Sequence, residues 1–375
     1  MAHWAVHKTT GHRMTVTSPM KKLALVALVV IGFGGWFVLD LLRSSGYFKT
    51  IAAHFAGRCR PIGGMPGPED ITVNPDTGVA YISSTDRRAR GAGRRTRGAV
   101  YALDLESPEP HPIELTGDFQ SELQPHGLSL LRDPDGGASL FVVNHPGADH
   151  TVEIFDVRER TLAHRETIRG ELLRSPNDVL AVGPRQFYVT NDHRHATGWK
   201  RTASDFLRLA DSDVVFFDGT GFRVVAEDIA YANGITMSPD GRTVFVASTT
   251  ERAILSFERN PATGALSFRE RFDVGTGVDN LEMGGDGTVW AGAHPQMLAF
   301  LKNARDPANL SASQVLSLDP STGVFQEQFL SLGDDLSTSS VAAVHGNWML
   351  IGSVFEEHLL LCERDPAFSK KLLSP

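Results

Sequence analysis

Carboxylate and amide side chains recur at the starts of short β-branched segments in this 375-residue sequence, and they are the residues best suited to chemistry. The recurring residues are Glu69, Asp70, Asn177, Asp178, Asn233, Asp279 and Asn280, followed by Ser339 and Ser340 at the last such position. Carboxylates gathered in one place would repel one another without a cation. Carboxylate mixed with amide oxygen suits a hard ion that takes about six to eight oxygen ligands, which is calcium rather than zinc. One such residue alone would be a strand-end or Asx-turn residue, but recurrence in phase favours a metal site.

Two histidines lie within the same pattern. His126 begins the second copy of it, and His145 ends the strand that follows in that copy. Histidine is the side chain whose ordinary pKa lies near neutral pH, so the pair can supply a general base if the two side chains come close. The sequence contains no G-x-S-x-G motif for a serine hydrolase and no H-E-x-x-H motif for a zinc hydrolase.

The elements that must position these residues are six copies of one short pattern. Each copy begins with the polar group, continues as a strand, turns and returns as a second strand rich in β-branched and aromatic residues. The copies span residues 68–82, 125–143, 176–189, 232–246, 278–291 and 339–351. They begin roughly 45 to 60 residues apart, which is the length of a four-stranded propeller blade with its loops. The sequence therefore predicts an all-β, six-bladed β-propeller in which the first strand of each blade lines a central channel that holds calcium.

An apolar run precedes this repeated part of the chain. Leu23 to Leu39 is free of charge, and the residues before it include basic but no acidic side chains. The positive-inside rule then places the N-terminus in the cytoplasm and exports the rest. We expect a cytoplasmic tail 1–22, a transmembrane or signal-anchor helix 23–42, a linker 43–58, the propeller 59–365 and a C-terminal tail 366–375. The propeller would lie on the extracytoplasmic side (periplasmic, extracellular or lumenal), or be secreted if the segment is cleaved as a signal peptide.

Composition narrows the function further. The formal net charge is −8, and basic residues are scattered except in the segment 87–97, which holds six arginines, so a nucleic-acid partner is not expected. We interpret that segment either as a solvated surface loop or as a contact for anionic lipid or substrate. The chain has two cysteines, Cys59 and Cys362, at opposite ends of the repeated part. In an oxidising compartment, a disulfide between them would join the ends of the ring.

Several short segments of the sequence resemble those of the paraoxonase and arylesterase family. They are Glu69-Asp70, Pro125-His126-Gly127, Val142-Val143-Asn144-His145-Pro146, Asn177-Asp178, Asn191-Asp192-His193, Ala232-Asn233-Gly234-Ile235, Val278-Asp279-Asn280 and Gly292-Ala293-His294-Pro295. The resemblance runs in order from about Cys59 to Cys362. It implies a propeller with two calcium ions that hydrolyses lactones and aryl esters, with organophosphate turnover as a promiscuous activity.

The resemblance also implies roles for particular residues. The catalytic calcium would be held by Glu69, Asn177, Asn233, Asp279 and Asn280. A deeper structural calcium would be held by Asp70, Asp178 and the backbone carbonyl of Leu128. His126 would activate water, and His145 would orient and tune His126. His294 would contact the substrate near the channel mouth. From their residue types, Tyr231, Phe187 and Trp199 would give the substrate pocket an apolar lining.

Two features depart from the family pattern. Ala293 stands where animal members carry a third cysteine, and the lid region 198–211 is shorter and more charged than theirs. Two alternatives to an ester or lactone hydrolase remain open at this point. One is a sugar-lactone hydrolase of the gluconolactonase type, and the other is a non-catalytic calcium propeller like the strictosidine synthase-like proteins.

Overall fold

The computed structural model describes residues 1, 19–133, 135–147, 149–195 and 197–365, and it divides the chain into two compact units that meet at Ser44 and Ser45. The predicted C-terminal tail and most of the predicted cytoplasmic tail lie outside the described residues. The first unit contains one helix, α1 (Pro19–Ser44). Its segment Lys22–Ser44 is 23 residues long with a mean hydropathy of 2.3. At about 1.5 Å per residue this segment is long and apolar enough to cross a membrane, as the sequence predicts.

The second unit is an all-β propeller, and its chain begins with two strands and three four-stranded blades. The opening strands are β1 (His54–Phe55) and β2 (Gly57–Gly63). Blade 1 contains β3 (Pro68–Val73), β4 (Val79–Ser84), α2 (Arg87–Gly91), β5 (Ala99–Asp104) and β6 (Ile113–Glu114). Blade 2 contains β7 (Pro125–Arg132), β8 (Ala138–Asn144), β9 (Thr151–Val157) and β10 (Leu162–Ile168). Blade 3 contains β11 (Pro176–Gly183), β12 (Gln186–Asn191), α3 (Trp199–Leu207), β13 (Ser212–Phe217) and β14 (Phe222–Ile229).

Three further sheets complete the ring. Blade 4 contains β15 (Ala232–Met237), β16 (Thr243–Ser248), β17 (Ala253–Arg259) and β18 (Leu266–Asp273). Blade 5 contains β19 (Gly277–Met283), β20 (Val289–His294), α4 (Met297–Arg305), β21 (Ser313–Asp319) and β22 (Val324–Ser331). Blade 6 contains β23 (Ser339–His345), β24 (Trp348–Ser353) and β25 (His358–Arg364). The six blades predicted from six copies of the pattern are therefore confirmed, with each copy supplying the two innermost strands of one blade.

The N-terminal strands close the ring. Strand β2 pairs with β25 as the outermost strand of blade 6, and β1 pairs with β22 as a fifth strand of blade 5. Residues 54–55 and 57–58 of the expected linker thus belong to the sheets. In the register between β2 and β25, Cys59 lies opposite Cys362, and the two form the expected disulfide across 303 residues of chain.

Apolar side chains fill the spaces between neighbouring blades. Ile71 and Ile82 of blade 1 pack with Val341 and Leu350 of blade 6, and similar buried clusters join the other blades. Because each central strand is covered on both faces, it is apolar along most of its length. Burying each such side chain stabilises the fold by about 1.5–3 kcal/mol. These contacts fix the blades around the channel.

The helices are where the sequence was least informative. The sequence of the propeller shows weak helical periodicity only over residues 203–210, whereas α3 begins at Trp199 and α4 begins at Met297 without such a signal. In α4, Phe300 packs against His294 with ring centroids 4.2 Å apart, and Asn303 is buried. Helix α4 thus forms through contacts with the blades around it, which local propensity does not encode.

Helix α3 is attached to blade 3 through His193. Its Nε2 lies 2.7 Å from Asp205 of α3, and its Nδ1 lies 2.9 Å from Asp192 at the end of β12. Burial alone would lower the pKa of His193, but these two carboxylates outweigh it and raise the pKa to about 9. Arg201 of α3 lies 3.4 Å from the same Asp192. The helix is therefore held by a cluster of charged groups.

Removing the disulfide should destabilise the propeller. For a loop of this length the chain-entropy model gives about 5 to 6 kcal/mol, which corresponds to a loss of roughly 10 °C or more in Tm. Thermal unfolding of the detergent-solubilised chain with and without reductant measures this loss. The double variant Cys59→Ala, Cys362→Ala should match the reduced wild type and ignore reductant. An unchanged wild-type Tm under reduction would contradict the idea that the disulfide stabilises the propeller.

The attachment of α3 should weaken at alkaline pH. Because the pKa of His193 is raised on folding, its stabilisation is complete below its ordinary pKa of about 6.5 and is lost as pH rises through about 9. The variant His193→Gln should lose on the order of 2 kcal/mol of stability at pH 6, a value reduced for the partly exposed Asp205. That deficit should shrink above pH 9, whereas His111→Gln at an exposed histidine should show none. A deficit independent of pH would refute the charge-based attachment.

Candidate active site

The candidate site lies at the channel end where the inner strands begin. In the strand registers Pro68 pairs with Ser84, Pro125 with Asn144, and Ala232 with Ser248. The start of each inner strand therefore lies beside the end of the second strand and the connection that follows it. Helices α2, α3 and α4 occupy three of these connections, and His145 begins a fourth. One end of the channel thus collects both the polar pattern and the helices.

The five residues expected to hold a catalytic calcium are all buried. The Nδ2 of Asn280 donates to Glu69 Oε1 at 2.8 Å, and the Nδ2 of Asn233 donates to Asp279. These bonds turn the amide nitrogens toward carboxylates. The Oδ1 atoms of Asn177, Asn233 and Asn280 are buried and have no hydrogen-bond partner within the described protein.

Three buried amide oxygens without partners are an unusual feature. A buried polar group without a partner costs roughly 1–3 kcal/mol, so native proteins nearly always pair such groups. Amide oxygen is an acceptor only, and the neighbouring groups are carboxylates, so a cation is the partner that fits. Within the described ranges no three His, Cys, Asp or Glu side chains form a metal-ligand group. The donor set is instead one of mixed amide and carboxylate oxygens, which fits calcium.

Glu69 connects the oxygen set to two cationic or titratable neighbours. Its Oε2 lies 3.2 Å from the guanidinium of Arg87, and its Oε1 lies 3.5 Å from His126 Nε2. Burial would raise the pKa of Glu69, but His126 and Arg87 outweigh burial and hold it at about 2. Glu69 is therefore a carboxylate at neutral pH, which is the form that binds a cation.

A second layer of carboxylates lies beneath the first. Asp70 accepts hydrogen bonds from the backbone N–H groups of Ile71 and Leu128, at 2.9 and 2.6 Å. Asp178 accepts from Val179 and Ile235, at 2.7 and 2.8 Å. Burial is the main cause that raises the pKa of both carboxyls well above the ordinary range. The repulsion of Asp178 and Glu69 adds to the shift at Asp70. A cation in this layer would relieve both effects. Leu128 contacts Asp70 through its backbone N–H, and a ligand role for its carbonyl stays a prediction.

Gly127 permits a close contact between blade 2 and blade 3. A Cβ added at Gly127 would lie 2.3 Å from Asp178 Oδ1 and 2.8 Å from the carbonyl oxygen of Asn177. Gly127 follows His126, so the absence of a side chain lets the histidine strand pack directly against the ligand strand of blade 3. Packing between blades therefore explains the glycine of the Pro-His-Gly segment, in addition to the chemical role expected of its histidine.

The two expected histidines are in contact. His126 Nδ1 lies 3.0 Å from His145 Nε2, and their ring centroids are 5.2 Å apart. Burial, followed by the nearby His126 and His150, lowers the pKa of His145 well below its ordinary value. His145 is therefore neutral at neutral pH. The pair has the arrangement of a base oriented by a second imidazole.

The other expected substrate residues differ in their placement. His294 is buried, and its Nε2 lies 2.9 Å from Asp279, so it contacts the oxygen set. Tyr231 is near His193, with ring centroids 4.8 Å apart. Phe187 packs in the core between blades 2 and 3, so the idea that it lines the pocket is wrong. Trp199 is 76% exposed on α3.

Three residues of the site were missed from sequence. Arg87 belongs to the arginine-rich segment interpreted as a surface or anion-contacting loop, yet it pairs with the buried Glu69. His150 lies beside His145. Glu282 is near Asp70 in the channel, and burial raises the pKa of Glu282 to about 8. Glu282 stands two residues after Asn280, and this strand period was the one signal that pointed toward it.

Comparison with known proteins agrees with this architecture. A family model described as Arylesterase matches residues 59–364. Serum paraoxonase/arylesterase 1 of Homo sapiens is 35% identical over 362 residues, covering 90% of this chain and 99% of that protein. Serum paraoxonase/lactonase 3 of Mus musculus is 34% identical over 353 residues, covering 89% and 98%.

A solved structure shows the same fold at much lower identity. The calcium-binding protein regucalcin of Agrobacterium tumefaciens has a TM-score of 0.52 and 14% identity, over 84% of this chain and 98% of that one. The sequence matches extend over nearly the whole propeller and over nearly the whole length of the relatives. This chain belongs to the arylesterase family, which includes the serum paraoxonases.

Proposed function

We propose that this protein is a calcium-dependent hydrolase of lactones and aryl esters. The observation that carries the proposal is the set of three partnerless amide oxygens at one end of the channel, beside the paired imidazoles of His126 and His145. Family membership supports hydrolysis as the reaction class, because the relatives are named arylesterases and lactonases. Lactones and aryl esters share an exposed carbonyl that water can attack once it is polarised.

Two layers of oxygen atoms would hold two ions. Glu69, Asn177, Asn233, Asp279 and Asn280 would hold the catalytic calcium, and Asp70, Asp178 and the Leu128 carbonyl would hold a structural one. Bound calcium supplies a Lewis acid that polarises the ester carbonyl and stabilises the negative charge developing on its oxygen. The amide nitrogens of Asn280 and Asn233 donate to carboxylates, which leaves the Oδ1 atoms of these two asparagines available to bind the calcium.

The base is His126. Its Nε2 lies 3.5 Å from Glu69 and so borders the oxygen set, while its Nδ1 faces His145. His126 takes a proton from water, and the hydroxide oxygen forms a bond to the carbonyl carbon while the π electrons of the carbonyl move onto its oxygen. The carbonyl then re-forms as the bond from that carbon to the ester oxygen breaks, and the proton passes from His126 to the departing oxygen. His145 would hold the ring of His126 in place, and His294, which lies beside Asp279, would contact the substrate.

The N-terminal helix supports a proposal for the location of the site. Basic residues precede α1 without acidic ones, which favours a cytoplasmic N-terminus and an extracytoplasmic propeller. The disulfide fits an oxidising compartment on that side. We infer that the protein is anchored through α1 and meets its substrate outside the cytoplasm.

Calcium removal should abolish hydrolysis, and loss of His126 should slow it strongly. The full-length chain in detergent is assayed with a medium-chain aliphatic lactone, phenyl acetate and gluconolactone. Chelation should abolish turnover, and added calcium should restore it. The variant His126→Gln should lower kcat by roughly 10²- to 10⁴-fold, the usual contribution of a general base. His111→Gln, at an exposed histidine on the far side of blade 1, is the matched control.

Each alternative has its own signature in this assay. Turnover of gluconolactone alone would indicate a sugar-lactone hydrolase. Calcium binding without turnover of any ester would indicate a binding propeller. Full activity after chelation and in His126→Gln would contradict the mechanism.

The anchor should behave as a membrane span. The full chain should sediment with membranes, resist extraction at alkaline pH and expose the propeller to protease added from the extracytoplasmic side. A soluble product that begins after Ser44 would show instead that the segment is a cleaved signal.

A further inference from the structure

A third imidazole continues the histidine pair. His145 Nδ1 lies 2.8 Å from His150 Nδ1, and the two rings meet edge to face with centroids 4.8 Å apart. Together with the 3.0 Å contact to His126, both ring nitrogens of His145 are engaged by other imidazoles. The backbone at His145 is fixed as well, because its N–H donates to Gln124 and its carbonyl accepts from Arg90.

The protons in this chain of rings are coupled. Burial is the main cause that lowers the pKa of His145, so its ring is neutral and carries one N–H. If that proton is on Nδ1, it is donated to His150, and the bare Nε2 accepts from His126 Nδ1–H. If it is on Nε2, it is donated to His126 Nδ1, and His126 then carries its own proton on Nε2. Only the first arrangement leaves His126 Nε2 free to act as a base.

We propose that His150 is a positioning residue that sets this arrangement, because its Nδ1 accepts the Nδ1–H of His145 and so fixes the tautomers of both other histidines. The proposal rests on the proposed function, in which His126 Nε2 takes the proton from water. His150 thus does for this pair what the buried Asp does for the His of a serine-protease triad, but as a neutral acceptor.

The surroundings of His150 suit an acceptor. Burial lowers its pKa, and Arg90 and His126 act in the same direction, while Asp192 and Asp149 act against them. The net direction is downward, so the ring is neutral at neutral pH and its Nδ1 can accept. His150 is half-buried and lies at one end of the chain of rings, whereas His145 is held between two rings.

Substitutions at His150 separate an acceptor from a packing role. In His150→Asn the side-chain oxygen takes the place of Nδ1, in His150→Gln the same amide is displaced by one carbon, and in His150→Leu no acceptor remains. The Leu variant should lose roughly 10- to 100-fold in kcat, at the low end of a general-base contribution. His150→Asn should keep most activity, and His150→Gln should resemble the Leu variant. KM and calcium content should stay near wild type, because the contacts described for His150 are with His145 and not with the oxygen set.

The tautomers can be read without any assay of activity. Nitrogen-15 NMR of histidine-labelled protein with calcium bound should show His145 protonated on Nδ1 and His126 bare on Nε2 in the wild type. The Leu variant should move the His145 proton toward Nε2, and His150→Asn should not. Wild-type His145 protonated on Nε2, or equal kcat in the Asn and Leu variants, would overturn the proposal. If the wild type hydrolyses no ester, the proposed function fails, but the spectrum still decides the tautomer.

Discussion

Oxygen atoms directed into one narrow channel are the constraint on which this structure depends. Six inner strands converge there, and they bring buried carboxylates together with amide oxygens that have no partner in the protein. Such an arrangement is unfavourable by itself, since burial and mutual repulsion oppose charge on Asp70 and Asp178. The blade contacts, the closing strand β2 and the disulfide hold the layers in position against that cost. We propose that a bound cation offsets this cost.

Glu69 joins the two halves of the proposed chemistry. One carboxylate faces Arg87, accepts from Asn280 and borders His126. The charges around it keep it ionised despite burial, so it can serve the oxygen set while the imidazole beside it stays within reach of the same space. The proposed calcium ligand Glu69 and the proposed base His126 thus lie on neighbouring blades and not on one loop. Any movement of blade 1 against blade 2 would disturb both.

Much of this arrangement was predictable from sequence, because it is repeated. Six in-phase copies predicted six blades, the polar residue at the head of each copy predicted the channel residues, and Cys59 and Cys362 marked the closure. Other parts depend on contacts between distant segments. In the sequence Arg87 is one of six clustered arginines, and only the fold places it against Glu69. Helix α4 forms through contacts that the local sequence does not encode. Phe187 carries no mark in sequence that separates a core ring from a pocket wall.

The most direct test of the central claim is to locate the cation itself. Crystals of the full chain grown with calcium, and measured at a wavelength where calcium scatters anomalously, would show where ions lie. We expect one anomalous peak among the Oδ1 atoms of Asn177, Asn233 and Asn280, and a second beside Asp70 and Asp178. Density for water alone at both positions, in crystals that contain calcium, would contradict the account.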